Sequence, residues 1–72
     1  MSTGPNILDV VALTEDQKDR GLYRGQVGTV VESLSSGVFE VEFSDDDGRT
    51  YAILALHAGQ LMVLHHRLVE VA

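Results

Sequence analysis

The sequence predicts an all-β protein, a small five-stranded barrel that is partly open, and three observations support this fold class. Gly25 and Gly28 precede a β-branched stretch, which is typical of the start of a strongly bent strand. Asp47-Gly48 separates two segments of alternating polarity and is the strongest short-range signal of a hairpin. The long polar segment 14–26 lacks the apolar stripe of a helix. Short strands joined by tight turns are typical of a small barrel.

Alternation of apolar and polar residues predicts each strand in turn. An apolar run that begins at Leu8 is the first strand, and Val27 begins the second. A turn with serine and glycine separates the second strand from the third, and a turn with aspartate and glycine separates the third from the fourth. A short apolar run near the chain end is the fifth strand. The predicted strands therefore span residues 8–13, 27–34, 38–43, 49–56 and 61–64.

The segments between the strands are polar or short. Residues 14–26 are predicted to form a surface loop with at most one helical turn, although Thr14 and Gln17 also match the start of a capped helix. Residues 57–60 are predicted to form a connector with room for one helical turn.

The chain ends are assigned from their composition. Residues 1–6 have nothing to bury and are predicted to be a flexible lead-in, so residues 7–72 form a single barrel domain. The apolar segment 61–71 has two interpretations. It closes the barrel, with residues 67–71 extending the last strand or packing as a tail, or it leaves an exposed edge that pairs with another chain.

Two turns set the register of the hairpins. We predict a two-residue turn at Asp47-Gly48 and a three-residue loop that ends at Gly37. The second loop places Val31 opposite Val41. Both turns give the same inner face, because side chains alternate between the two faces of a strand. Its expected members are Thr29, Val31, Phe39, Val41, Phe43, Ala52, Leu54 and Leu56.

The same register predicts an outer face that carries both apolar and acidic side chains. Scattered apolar residues are common on protein surfaces, and a long loop that folds over them is a further explanation. A contact surface for a partner or for a second copy is the alternative. Together with two residues of the long loop, the candidate partner-binding set is Leu22, Tyr23, Val30, Glu32, Glu40, Glu42, Tyr51 and Ile53.

The composition restricts the classes of function. The 72 residues include no cysteine, so disulfides and thiolate metal sites are excluded, and a reducing compartment such as the cytoplasm fits. The net charge of −6 repels nucleic-acid backbones and anionic lipids. No apolar run approaches the roughly 20 residues of a membrane-spanning helix. The sequence therefore disfavours nucleic acid as a partner and predicts no association with a membrane.

No group of residues has the pattern of a catalytic or ligand-binding site, so we expect no enzyme activity, no cofactor and no metal. Asp45–Asp47 is not part of a calcium-binding loop, because Phe43 and Leu54 would occupy ligand positions. His65 and His66 are adjacent and point to opposite faces of a strand, so they cannot readily bind one ion. The serines lie at turns or strand ends, without the strained turn that exposes a nucleophile.

Two resemblances add to this interpretation. Gly25-Gln-Val-Gly-Thr-Val30 resembles the KOW-type and wider SH3-like small barrels, in which a glycine-containing loop leads into a strand that begins Gly-x-Val. More closely, residues 8–13, 24–32 and 39–52 resemble a bacterial family of small stand-alone proteins described as a domain of unknown function. The family resemblance implies no established activity or site, and an association with small toxin-like or mobile-element genes. The KOW resemblance implies binding of RNA or ribosomal protein.

The leading hypothesis is a non-enzymatic protein-interaction module that binds a basic partner, in an antitoxin-like or immunity-like role in its specific version. An acidic surface accelerates the encounter with a basic partner and favours it over others. The alternatives are KOW-like nucleic-acid or ribosome-associated binding, and a structural subunit of a larger assembly. A homo-oligomer also fits, since association stabilises a domain this small.

Overall fold

The computed structural model describes residues 4–65, which form five antiparallel strands in one sheet. This all-β architecture confirms the predicted fold class, and each strand begins and ends within two residues of its predicted bounds. The predicted extension at 67–71 lies outside the described residues. The strands are β1 (Val10–Leu13), β2 (Val27–Ser35), β3 (Val38–Ser44), β4 (Thr50–His57) and β5 (Leu61–Val63).

Two single turns of 3₁₀ helix complete the secondary structure of the described residues. Lys18–Arg20 lies in the long loop between β1 and β2, and Ala58–Gln60 joins β4 to β5. Both segments were predicted to hold at most one helical turn, and both predictions are confirmed. Thr14 does not cap a helix, since its hydroxyl donates a hydrogen bond to the Gly59 carbonyl at 3.1 Å.

The sheet has the strand order β4-β3-β2-β1-β5, with every neighbouring pair antiparallel. Within residues 4–65, β4 and β5 do not pair with each other, so the described sheet is open and these two strands are its edges. One face buries the core, into which the long loop contributes Leu22. Pro5, within the predicted lead-in, is buried as well. The core consists of Val11, Leu13, Leu22, Val30, Phe39, Val41, Phe43, Leu54, Leu56 and Leu61.

The β3–β4 hairpin has the predicted register, although its turn differs. The Asp45 N–H donates to the Arg49 carbonyl at 2.9 Å, so the loop contains three residues rather than two. Gly48 has a φ of 81°, as expected for the left-handed last residue of such a loop. Next to this turn, β4 carries one extra residue, Tyr51, which restores the predicted pairing for the rest of the hairpin.

The loop of the β2–β3 hairpin differs from the prediction. Ser35 pairs with Val38, so the loop contains two residues rather than three, and the extra residue Leu34 restores the predicted pairing of Ser33 with Phe39.

Farther along β2, a second bulge shifts the register by one residue. Val30 pairs with Val41, whereas Glu32 pairs with Glu40, so Val31 is an extra residue that bulges between them. A shift of one residue moves every following side chain to the other face. Val30 is therefore fully buried, and its predicted outward orientation is wrong.

The same bulge corrects two residues predicted to point inward. Thr29 pairs with Glu42, whose side chain lies on the outer face, and Val31 is only half-buried and is not part of the core. The other predicted inner residues are confirmed. Phe39, Val41, Phe43, Leu54 and Leu56 are core residues, and Ala52 packs against them.

Candidate functional site

The outer face of the sheet exposes large apolar side chains on three strands. Ile53 on β4 is 48% exposed, and Tyr51, two residues earlier, is 50% exposed. Val27 on β2 and Met62 on β5 pair with Ala12 from opposite sides, so these three residues share the outer face. Val27 and Met62 are about half exposed, and the small Ala12 between them is buried.

A hydrogen-bonded bridge connects the long loop to β4. The Gln26 amide Nε2 donates to the Tyr51 hydroxyl at 3.1 Å, and its Oε1 accepts a hydrogen bond from the Tyr23 backbone N–H. The side chain of Gln26 thus fixes the loop beside the Tyr51 side chain. Tyr23 and Tyr51, which are 28 residues apart in sequence and both about half exposed, therefore lie at the same end of the outer face.

Three carboxylates lie beside these apolar residues. Glu42 pairs with Ile53 on one side and with Thr29 on the other. Glu40, two residues before Glu42 on the same face, lies directly opposite Glu32. Like charges directly opposite each other destabilise an antiparallel pair. No ion pair to a lysine or arginine neutralises these carboxylates within residues 4–65.

Six of the eight residues predicted for the partner-binding set lie on the surface. They are Tyr23, Glu32, Glu40, Glu42, Tyr51 and Ile53. Leu22 and Val30 are corrected, because both are core residues and only 1% and 0% exposed. Val30 faces inward because of the bulge at Val31. Leu22 is held by its backbone hydrogen bonds with Gln17, which turn the loop back onto the sheet.

Two residues of this surface were missed by sequence reasoning. Val27 follows from alternation once Val30 is known to face inward, because positions 27 and 29 then share the outer face. Gln26 gave no signal, since the hydrogen-bond partner that places it at this surface, Tyr51, lies 25 residues away in the chain. We define the outer-face patch as Tyr23, Gln26, Val27, Tyr51, Ile53 and the carboxylates Glu32, Glu40 and Glu42.

Neither a cluster of metal ligands nor a membrane-spanning helix occurs among the described residues. Residues 4–65 contain no group of three or more histidine, aspartate and glutamate side chains placed to hold a metal ion. In the same part of the chain, no helix has the length and apolarity needed to cross a membrane.

Comparison with known proteins gives one match. A family described as a domain of unknown function, DUF4926, matches residues 7–63. No curated protein and no solved structure matches the chain.

Proposed function

Because the chain belongs to the DUF4926 family, whose function is unknown, we propose its role from its own surface. The protein acts as a non-enzymatic module that binds a basic protein partner through the outer-face patch. An antitoxin-like or immunity-like role, in which the acidic surface covers the partner, is the specific form of this proposal. The absence of cysteine is consistent with a cytoplasmic location.

One observation carries the proposal: unneutralised carboxylates lie next to exposed aromatic and aliphatic side chains. Burial of Tyr51 and Ile53 against a partner would supply apolar contact area, and aromatic residues are enriched at the centres of interfaces. Lysine or arginine side chains of the partner would relieve the repulsion between Glu32 and Glu40. Apolar centre and acidic border together fit a basic protein better than a nucleic acid, whose phosphates the carboxylates repel.

The acidic border is tested by removing charge inside the patch and, as a control, the same charge outside it. Tagged protein is used to recover partners from the native host at modest salt. We expect the double variant Glu40→Gln/Glu42→Gln to weaken binding on the order of tenfold, equivalent to about 1.4 kcal/mol. The control Asp46→Asn/Asp47→Asn has the same net charge but changes only the β3–β4 turn, and it should bind as the wild type does. Equal losses in both variants would show that only net charge matters.

The apolar centre is tested by Ile53→Glu, with Leu34→Glu as the control. Leu34 is 46% exposed, close to the exposure of Ile53, but lies near the end of β2 outside the patch. We expect Ile53→Glu to abolish recovery of the partner and Leu34→Glu to retain it. An unchanged pull-down with Ile53→Glu would contradict the proposal. Tight binding of the wild type to RNA or DNA in a low-salt gel shift would instead favour nucleic acid as the partner.

A further inference from the structure

The edge strand β4 has an open side. Among residues 4–65, β4 pairs only with β3, and the Ala58 N–H donates to the Gly37 carbonyl at 2.9 Å. Since backbone groups alternate in direction along a strand, the N–H and C=O groups of Ile53 and Ala55 point away from β3, toward the open side. The His57 N–H also points there, but it already donates to Oε1 of Gln60 at 2.8 Å.

Beyond the bulge at Tyr51, this edge lacks the features that usually prevent strands from pairing. Natural edge strands are short, charged, interrupted by proline or bulged. The segment Ala52–His57 pairs with β3 without irregularity, and no charged residue, proline or glycine occurs from Thr50 to Leu56. An uncharged segment with strand-forming side chains is prone to add a further strand. The opposite edge, β5, spans only three residues.

We propose that β4 pairs with β4 of a second copy, antiparallel, around a two-fold axis at Leu54. In this register Ile53 of each copy lies opposite Ala55 of the other, and each such pair exchanges both of its hydrogen bonds. The pairing uses the free N–H and C=O groups of Ile53 and Ala55. It does not require the His57 N–H, which Gln60 occupies. A two-fold interface must be self-complementary, and this edge meets that condition.

The side chains and charges also fit a second copy. The large Ile53 lies opposite the small Ala55 on the outer face, and Leu54 lies opposite its own equivalent beside the core. The carboxylates nearest to the axis, Glu40 and Glu42, are on β3 on either side of Val41, which pairs with Leu54. Two β3 strands in the dimer are three strand spacings apart, about 14 Å, which exceeds the screening length of about 8 Å at physiological salt. The net charge of −6 therefore brings no carboxylates into contact across the axis.

The pairing is short, so the dimer is concentration-dependent rather than permanent. It is smaller than the interfaces of stable complexes, which bury about 1,600 Å² in total. The pairing extends beyond the proposed function, because it joins two outer-face patches on one continuous sheet. Dimerisation and binding to a basic partner also depend on salt in opposite ways. Added salt screens the repulsion between two acidic copies and favours the dimer, whereas it weakens binding to a basic partner.

The test is sedimentation velocity from micromolar to millimolar concentration, with Ala55→Pro compared with Ala55→Ser. Proline removes an N–H that makes no bond within one copy but donates across the axis, whereas serine keeps it. We expect the mass of the wild type and of Ala55→Ser to rise from 7.8 kDa toward twice that value, and more so at higher salt. Ala55→Pro should remain a monomer. A wild type that stays monomeric, or an Ala55→Pro that dimerises equally, would overturn the proposal.

Amide hydrogen exchange of the wild type tests the register without a substitution. In the monomer, the N–H groups of Leu54 and Leu56 are protected by β3, and those of Ile53 and Ala55 exchange freely. We expect protection of Ile53 and Ala55 to increase several-fold with protein concentration while that of Leu54 and Leu56 changes little. Concentration-independent exchange at Ile53 and Ala55 would overturn the pairing, even if the proline variant failed to fold.

Discussion

The two hairpins that share β3 differ in where their extra residues lie, and this difference decides which side chains reach the surface. In the β3–β4 hairpin, the extra loop residue and the bulge at Tyr51 are adjacent and cancel, so the pairing beyond them is regular. In the β2–β3 hairpin, the shortened loop and the extra residue Leu34 cancel in the same way, but a second bulge at Val31 lies in mid-strand and nothing offsets it. Register can thus be predicted from a turn when irregularities cancel near it, and not when one occurs farther along the strand.

This difference changes the candidate site. Without the bulge, Val30 would extend the apolar centre of the outer face next to Glu42. With it, Thr29 occupies that place, and Val30 fills the core. The outer-face patch is therefore more polar beside Glu42 than the sequence predicts. Its exposed apolar side chains lie on β4, at the start of β2 and in the loop that Gln26 holds against Tyr51.

The largest expected effect comes from placing a charge either at the bulged residue Val31 or at its neighbour Val30. Val30→Asp would bury an unpaired carboxylate in the core, whereas Val31→Asp would place it at a half-buried position outside the core. We expect Val30→Asp to lower the free energy of unfolding by more than about 3 kcal/mol and Val31→Asp by about 1 kcal/mol or less. Urea unfolding measured by circular dichroism checks both values.

Alanine substitutions at the same two positions are milder and can be measured even if Val30→Asp does not fold. Val30→Ala removes two methyl groups from the core and should cost about 2 kcal/mol, whereas Val31→Ala should cost less than half of that. A larger cost for Val31→Ala than for Val30→Ala would contradict the observed bulge and favour the regular register.

The second prediction uses Gly28, at which β2 leaves no room for a side chain against β3. A Cβ on Gly28 would be 2.8 Å from Cγ1 of Val41, 2.9 Å from the Glu42 carbonyl and 2.9 Å from the Phe43 ring. Because backbone is among these neighbours, the contact cannot be relieved by side-chain rotation alone. We expect Gly28→Ala to lower the free energy of unfolding by about 1–3 kcal/mol.

Gly59→Ala is the matched control for this close approach. A Cβ on Gly59 would have no neighbour within 4 Å, and Gly59 does not have a positive φ. We expect its free energy of unfolding to stay within about 0.5 kcal/mol of the wild type. A Gly28→Ala variant as stable as Gly59→Ala would show that β2 and β3 are farther apart at this point.

Gly28 also shows which parts of the fold can be predicted from the sequence and which cannot. Strand positions, the single helical turns and most of the core follow from alternation and turn composition, because these signals are local. The bulge does not, since Val31 resembles any other β-branched strand residue. In the predicted register Thr29 would occupy the inner-face position that Gly28 holds beside Val41 and Phe43. The available signal was Gly28 itself, the one glycine of the described residues at which an added Cβ would clash, but this clash depends on contacts between two strands.

The smallest effect concerns the side-chain hydrogen bonds of Asp45 in the turn of the β3–β4 hairpin, which have no counterpart among the described contacts of the β2–β3 loop. The Asp45 Oδ1 accepts hydrogen bonds from the backbone N–H groups of Asp47 and Arg49, both at 2.9 Å. We expect Asp45→Ala to lower the free energy of unfolding by about 1 kcal/mol, because both N–H groups lie on the surface and regain water as a partner. Asp45→Asn keeps the acceptor oxygen and should recover most of this loss, while Asp46→Ala should change little. If Asp45→Asn were as unstable as Asp45→Ala, the charge rather than the hydrogen bonds would hold the turn, and the loss would then diminish with added salt.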